Sequence, residues 1–272
     1  MMAHAMQAWR AIVLRELLKF SRQSGRLVSA LVRPLLWLAV FAAGFRNVFG
    51  VAIVEPYDSY IPYDVYIAPG LVGMVLLFNG MQSSLAMVYD REMGLMRLLL
   101  TAPLPRWWIL FAKLSATAVL SLAQALAFVI VAALIGTGLP LLGPQTPMVL
   151  LAAVSAALML GALGLLLSVH IKQLENFAGT MNFVIFPMYF MSTALYPLWK
   201  LEESGAAWVY QIARFNPFTH AVEWLRFALY GKDPGISPWI VLGTLALCFG
   251  LAAWGYDPQR GFGALSKRGG PA

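Results

Sequence analysis

Charged residues are scarce in this 272-residue chain, at 11% of the total, whereas 60% of the residues are hydrophobic. An ordinary soluble domain carries roughly 25% charged residues. A soluble fold of this size could not remove so much apolar surface from water. The composition therefore excludes an ordinary soluble domain and predicts an integral membrane protein.

Residues that support metal or covalent chemistry are equally scarce. The single cysteine, Cys248, cannot form an internal disulfide, and the three histidines, His4, His170 and His220, lie far apart in the sequence. No cluster of Asp, His or Ser/Lys groups at one membrane depth is evident, as an integral-membrane enzyme would need. We therefore predict no catalytic residue and no metal site.

Two further absences concern the source of energy. No carboxylate lies in the central part of an apolar stretch, which argues against the proton or sodium relay of a secondary carrier. No G-x-x-x-x-G-K-[ST] loop exists, so the chain is not predicted to bind or hydrolyse ATP in the P-loop manner. We therefore expect the chain itself to be no enzyme and to bind no cofactor.

Six stretches are long and apolar enough to cross the hydrocarbon core, which takes about 20 residues. They are Leu27–Phe49, Tyr66–Tyr89, Trp107–Ile135, Met148–Val169, Phe177–Leu198 and Pro238–Tyr256. Arg33 and Arg46 in the first stretch and Lys113 in the third lie near the ends, where we expect their long side chains to snorkel to the interface. Ala153, Ala157 and Gly161 recur every four residues in the fourth stretch and predict close helix packing.

The distribution of basic residues predicts the topology. Outside the spans, and with Lys113 at the start of the third span added, 13 Lys and Arg residues lie on the side of the two termini and 4 on the other side. By the positive-inside rule both termini are cytoplasmic, in a multi-pass protein of the cytoplasmic (inner) membrane. The net charge of +7 follows this topology and forms no single patch, so nucleic acid is not an expected partner. We predict one transmembrane domain over 1–272, with a cytoplasmic amphipathic helix at 1–26, six spans within 27–256 and a cytoplasmic tail at 257–272.

The N-terminal stretch "AWRAIVLRELLKFSRQSGR" has helical spacing of its apolar residues, which are Trp9, Ile12, Val13, Leu17 and Phe20. This pattern is typical of a helix that lies in the membrane interface. The helix could anchor the chain against anionic lipid or provide a docking surface for a cytoplasmic partner. Its candidate contact residues are Arg10, Arg15, Glu16, Lys19 and Arg22.

The segment "DREMGLMRLLLTAPLPRWWILFAK" separates the second and third spans. Asp90 can cap the start of a helix, and Pro103 and Pro105 would end that helix after about ten residues. Such a helix is too short to span the membrane and would lie along the cytoplasmic face. A solvated loop with one helical turn is the alternative, but six bulky apolar residues favour burial against protein or lipid.

The outer stretch "RFNPFTHAVEWLRFALYG" also predicts a helix too short to cross the membrane. Asn216 suits the N-cap, Pro217 the first helical position and Gly231 the stop. Glu223 and Arg226 are three residues apart and can pair on the face opposite the apolar one. This helix could lie in the outer interface or enter the membrane and return as a re-entrant element.

These segments together resemble the ABC type-2 permease family, the membrane subunits of ATP-binding-cassette exporters for nodulation factors, anthracyclines, teichoic acids and polysaccharides. The resemblance covers Ala8 to Tyr256. It rests on the basic entry with its R-P-L-L-W-L start to the first span, on "NPFTHAVEWLR", and on a central motif. The residues that match the central motif are Glu92, Gly94, Leu98, Leu99, Ala102, Pro103 and Lys113. One departure is that Leu95, Met96 and Arg97 follow the glycine, where family members often carry Thr and then Leu-Glu.

The resemblance implies an all-α integral membrane fold with six transmembrane helices, an N-terminal interfacial helix, a cytoplasmic coupling helix and an outer re-entrant helix. The coupling helix would sit in a cleft of a separate ATPase subunit, and the N-terminal helix would contact the same ATPase. The implied coupling residues are Asp90, Glu92, Gly94, Met96, Arg97, Leu98, Leu99 and Pro103. The implied outer-helix residues are Asn216, Pro217, Glu223 and Arg226.

Further expectations concern the partners. ATP and Mg would be bound by the ATPase subunit, and a second permease copy would complete a homodimer or a heterodimer in the membrane lipid. Short outer loops weakly favour a small amphiphile, a drug-like compound or a lipid-linked molecule over a long polysaccharide. The alternatives are an ATP-independent secondary carrier or channel, a membrane enzyme, and a permease-like scaffold or sensor.

Overall fold

The computed structural model describes residues 2–22, 24–45, 56–57, 63–94, 105–135, 143–171, 173–203, 205 and 207–256. All regular secondary structure within these residues is helical, so the predicted all-α class is confirmed. The helices are α1 (Met2–Ser21), α2 (Ser24–Phe45), α3 (Tyr63–Glu92), α4 (Arg106–Ile135), α5 (Thr146–His170), α6 (Leu174–Phe190), α7 (Leu198–Glu203), α8 (Ala207–Phe215), α9 (Pro217–Leu229) and α10 (Ser237–Gly255).

Four of these helices are long and apolar enough to cross a membrane, namely α3, α4, α5 and α10. They correspond to the second, third, fourth and sixth predicted spans. The first and fifth predicted spans fall on α2 and α6, and residues 46–49 of the first lie outside the described residues. The count of six spans therefore stays a prediction.

Helix α5 lies at the centre of the bundle, where it packs against α3, α4, α9 and α10. Helix α3 approaches α5 very closely. A Cβ added at Gly164 of α5 would lie only 2.9 Å from the carbonyl oxygen of Gly80 in α3. In the predicted small-residue stripe, Ala157 and Gly161 are buried and Ala153 is half-buried. Small side chains thus let these two helices pack backbone against backbone, as is common in membranes.

Helix α6 ends at Phe190, eight residues before the predicted end of the fifth span at Leu198. The backbone leaves the helical conformation at Met191, with φ −97° and ψ 54°. The structure thus replaces the last two turns of the expected helix with a non-helical segment, 191–197, followed by α7. Side chains from other helices bond the backbone of this segment, and a sequence pattern cannot reveal such contacts.

Arg33 is exposed on α2, and the prediction that its side chain snorkels to the interface stays a prediction. Its guanidinium lies over the ring of Phe78, 4.0 Å from the ring centroid. Phe78 occupies the midpoint of α3, a helix of 30 residues, or about 45 Å. The electron-rich ring face attracts the cation and keeps it beside the middle of the bundle.

The two ends of the long helix α3 serve to name the two ends of the bundle. The α1 end comprises α1, the last turn of α3, the first turns of α4 and the start of α6. The α9 end comprises the first turns of α3, the end of α6, segment 191–197 and α9. Functional candidates from the sequence fall at both ends.

Candidate functional site

Helix α1 packs on α4 at the α1 end. Ile12 is buried in a cluster with Ile109 and Ala112 of α4. The indole Nε1 of Trp108 donates a hydrogen bond to the carbonyl oxygen of Ala5 at 2.9 Å. The apolar face predicted for the N-terminal helix is therefore a packing face, directed at the protein's own α4.

One buried carboxylate joins three helices at this end. Asp90 lies in the last turn of α3, and its side chain is only 2% exposed. Its Oδ2 is 3.0 Å from Nζ of Lys113 in α4 and 3.1 Å from Nη2 of Arg15 in α1, and its Oδ1 is 3.6 Å from Nζ of Lys19. Lys113, expected to snorkel to the interface, is instead buried against this carboxylate.

Glu16 completes this group, since Arg15 Nη2 also bonds its Oε1 at 2.6 Å. We call these five residues the Asp90 cluster. Burial alone would lower the pKa of Arg15, but Glu16 and Asp90 raise it above the ordinary value, so the guanidinium stays charged. The three cations and two carboxylates leave a net charge of +1 in the cluster. Within the cluster, Asp90 and Lys113 form a buried pair that is expensive to break, because removing one partner leaves an uncompensated buried charge.

The prediction that Asp90 caps the start of a new helix is wrong. Asp90 is still part of α3, which continues to Glu92, and its side chain is occupied by the three cations. The stop comes at Gly94, whose φ of +72° is readily adopted only by glycine. The N–H of Gly94 bonds the carbonyl of Arg91 at 3.1 Å, which closes the helix end.

Glu92 connects the end of α3 to the start of α6. Its Oε1 accepts a hydrogen bond from the backbone N–H of Leu174, the first residue of α6, at 2.8 Å. The first N–H groups of a helix have no partner within the helix, and they carry the positive end of its dipole. A carboxylate at this position therefore stabilises the start of α6 and fixes it to α3.

The described residues cover part of the predicted coupling set. They include Asp90, Glu92 and Gly94, whereas Met96, Arg97, Leu98, Leu99 and Pro103 lie outside them. In the predicted N-terminal set, Arg15, Glu16 and Lys19 join the Asp90 cluster, while Arg10 and Arg22 are exposed. The contact between Glu92 and α6 has no sequence signal, since the two residues are 82 positions apart.

At the α9 end, Asn216 has two roles. Its Oδ1 accepts from the N–H of Phe218 at 3.0 Å, which confirms the predicted N-cap of α9. Its Nδ2 donates to the carbonyls of Met188 and Met191 at 2.7 and 2.8 Å. One side chain thus caps α9 and bonds the carbonyls left without partners at the end of α6.

Arg226 pairs with Glu223, as the sequence predicts, but it does not lie on an exposed face. Its side chain is 2% exposed, and its Nη2 donates to the carbonyl of Thr193 at 2.8 Å. The guanidinium also lies over the ring of Tyr66, 4.1 Å from the ring centroid. Both contacts draw Arg226 into the bundle, where it bonds the non-helical segment.

Two tyrosines of α3 bond the same segment, and the sequence reasoning missed both. The Tyr66 hydroxyl donates to the Thr193 carbonyl at 3.1 Å, and the Tyr63 hydroxyl donates to the Leu195 carbonyl at 2.8 Å. Non-helical backbone within a membrane protein needs partners from the protein itself. The α9 end supplies them from α3 and from α9.

A helical bundle with several membrane-crossing helices and a side-chain-bonded break near the end of one helix defines a multi-pass membrane protein. The family model of the ABC-2 type transporter matches residues 7–230, and the chain belongs to this family. The match includes both ends of the bundle. Members of the family are membrane transport components and not themselves the ATPase.

Curated relatives agree with this assignment. The protein named "Putative transport permease ycf38" of Porphyra purpurea is 31% identical over 232 residues, which cover 84% of this chain and 75% of the relative. The protein of the same name from Cyanophora paradoxa is 30% identical over 243 residues, which cover 86% of this chain and 76% of the relative. The similarity extends over most of both chains.

Proposed function

We propose that this chain is the membrane-spanning permease subunit of an ATP-binding-cassette exporter. It moves a substrate across the cytoplasmic membrane, while a separate subunit binds ATP and Mg and supplies the energy. In this proposal the chain crosses the membrane six times, both termini are cytoplasmic, and the α1 end faces the ATPase. Family membership and the four membrane-crossing helices support the class of protein.

One observation carries the coupling role of the α1 end. The segment after Gly94 starts from a point that Asp90 fixes to α1 and α4 and that Glu92 fixes to α6. A displacement of that segment by an ATPase would reach three helices through short charged contacts. Such contiguous contacts are the physical means by which helix shifts pass from one site to another.

The α9 end fits the exit side of the same permease. Helix α6 is bonded to α3 by Glu92 at one end and through Thr193 and Tyr66 at the other. We therefore infer that α6 moves together with α3, and that α9 and segment 191–197 form the outer gate. A second permease copy, identical or closely related, would supply the other half of the pathway.

The first test is gentle purification of the tagged chain from its own cells, with mass spectrometry of the proteins that accompany it. The proposal expects a stoichiometric P-loop ATPase and shows whether a second permease is present. A solitary protein, at low salt and in lipid, would contradict the proposal and favour the ATP-independent carrier or channel.

A second test separates coupling from assembly. Glu92→Ala removes the acceptor for the Leu174 N–H, whereas Glu92→Gln keeps a carbonyl oxygen at that position. With the ATPase bound, we expect Glu92→Ala to retain ATP hydrolysis but to lose most substrate-dependent stimulation, and Glu92→Gln to retain both. Glu175→Ala is the matched control, since Glu175 is exposed in the first turn of α6. Equal behaviour of Glu92→Ala and this control would contradict the coupling role.

A further inference from the structure

A small polar cavity lies between α2, α3 and α4, beside the midpoint of α3. Its polar lining consists of Arg33, Asn79, Gln82 and Gln124. Two of the three surrounding helices, α3 and α4, are long and apolar enough to cross a membrane. Polar groups at such depth are costly in a bilayer, and they usually mark the path of a substrate or ion.

Arg33 provides the charge in this cavity. Its guanidinium lies over the Phe78 ring, and no carboxylate or hydrogen-bond acceptor pairs with it among the residues that the structure describes. Lys113 and Arg226, the most buried cations at the two ends, each have a carboxylate partner. Arg33 differs from both because its side chain is exposed, so the donors of its planar guanidinium are accessible to a ligand and suited to bidentate contact with an oxyanion.

Gln124 adds a second requirement for a ligand. Its side chain is buried, at 1% exposure, and Oε1 accepts no hydrogen bond within the described part of the chain. A buried amide oxygen without a partner is unfavourable by roughly 1–3 kcal/mol. A ligand that satisfies both side chains brings a negative oxygen for Arg33 and a hydroxyl donor for Gln124. A phosphate monoester in its monoanionic form carries both groups.

The cavity is continuous with polar side chains that lead to the α1 end. Asn79 lines it and also lines a second cavity, whose other polar residues are Glu16, Lys19, Ser83, Lys113 and Thr117. Asn79 donates to Ser121 Oγ at 2.8 Å, which fixes its amide between the two cavities. Polar groups therefore extend from the Asp90 cluster to Arg33.

An apolar surface adjoins the charged group. Leu36 and Val40 follow Arg33 by three and seven residues, so they share its face of α2, and both are about 60% exposed. A ligand with an anionic head at Arg33 could extend an alkyl chain along these side chains. The arrangement of charge and apolar surface therefore fits an amphiphile.

We propose that this cavity binds the anionic headgroup of the transported substrate, and that the substrate is an amphiphile with a phosphate monoester or a similar hydroxyl-bearing oxyanion. Arg33 binds the oxyanion, Gln124 accepts from its hydroxyl, and Leu36 and Val40 contact the alkyl chain. The role in transport rests on the proposed function. The binding itself does not depend on an ATPase.

The test measures equilibrium binding of radiolabelled dodecyl phosphate to the purified full chain in phosphatidylcholine nanodiscs, with protein-free discs as the blank. We expect saturable binding, at least a tenfold rise in Kd for Arg33→Gln, and a smaller, three- to tenfold rise for Arg33→Lys, which keeps the charge but loses the bidentate fork. Gln124→Met should raise Kd three- to tenfold. Arg10→Gln, an exposed site outside both cavities, is the control and should not change Kd.

Neutral dodecyl maltoside should not displace the probe. Equal Kd values for wild type and Arg33→Gln, in protein that elutes as a single species, would overturn the proposal. Displacement of the probe by about 30% phosphatidylglycerol in the disc would also overturn it, because the ligand would then be a bilayer lipid. Arg33→Lys and Gln124→Met keep the proposal falsifiable if Arg33→Gln does not fold.

The outcome is separable from that of the proposed function. A copurifying ATPase without dodecyl phosphate binding would overturn only the headgroup site. Binding that depends on Arg33 in a chain without an ATPase would support the site and contradict the ATP-driven permease.

Discussion

The two ends of the bundle are held together by different chemistry. At the α1 end, charged side chains bond one another, with Asp90 at the centre of three cations from two other helices. At the α9 end, side chains such as Asn216, Arg226 and Tyr63 bond main-chain carbonyls of a broken helix.

The difference has a consequence for motion. The Asp90 cluster joins intact helices, so it fixes their relative positions and would transmit a push on any one of them. The contacts of the α9 end instead fix the conformation of a single non-helical segment. We therefore expect changes at the α1 end to alter how helices move together, and changes at the α9 end to alter whether segment 191–197 keeps its shape.

The largest expected effect comes from removing the carboxylate of the α1 end. Asp90→Ala would leave Lys113 buried without its partner, and losing one member of a buried pair costs about 3–5 kcal/mol. The free energy of unfolding in detergent should fall by that amount. The measurement is denaturant unfolding followed by tryptophan fluorescence.

A double variant sharpens this expectation. Lys113→Met added to Asp90→Ala removes the unpaired charge and should restore a large part of the lost stability. Lys19→Ala is the matched control, because Lys19 is about one third exposed and should lower stability by less than about 1 kcal/mol. If Asp90→Ala were no worse than Lys19→Ala, the cluster would not hold the helices together.

The next effect concerns Asn216. Asn216→Ala loses the cap of α9 and both hydrogen bonds to the end of α6, for an expected loss of about 2–3 kcal/mol. Asn216→Asp keeps the cap acceptor but places a carboxylate oxygen against the carbonyls of Met188 and Met191, where the amide donated. We therefore expect Asn216→Asp to be at least as unstable as Asn216→Ala. Thermal unfolding measures the loss. Asn182 is exposed, so Asn182→Ala is the control, and its free energy of unfolding should lie within about 0.5 kcal/mol of wild type. A stable Asn216→Asp protein would mean that the cap alone matters.

The sequence predicted the parts of this fold that depend on local pattern. Apolar length gave α3, α4, α5 and α10, and cap chemistry gave the start of α9 at Asn216 and the stop at Gly231, whose φ is +63°. The sequence could not reveal contacts between residues far apart in the chain. Tertiary packing creates these contacts. They are the buried pair of Asp90 and Lys113, the cap of α6 by Glu92 and the tyrosine contacts to segment 191–197.

A smaller change in stability is expected when alanine replaces Gly94, and it should be opposite in sign to the change at an ordinary helical glycine. Gly94→Ala has open space for its Cβ but must adopt φ near +72°, which costs roughly 1–2 kcal/mol. Gly179→Ala, in the middle of α6 and also in open space, should instead stabilise the protein by up to about 1 kcal/mol. Opposite shifts of the thermal midpoint are expected, and shifts of the same sign would contradict the helix stop at Gly94.

The smallest effect is a pH dependence at the α9 end. Burial lowers the pKa of His220 below its ordinary value of 6.5, while its contact with the Arg214 carbonyl and the charge of Glu223 oppose the shift. In the neutral ring, Nε2–H donates to that carbonyl at 3.0 Å, and Nδ1 accepts from the Ser237 hydroxyl at 3.3 Å. Because the unfolded chain binds the proton more readily, stability is present above pH 6.5 and is lost as the pH falls towards the folded pKa. Thermal midpoints at pH 7.5 and 5.5 should therefore differ more for wild type than for His220→Gln, and equal differences would place the pH sensitivity elsewhere.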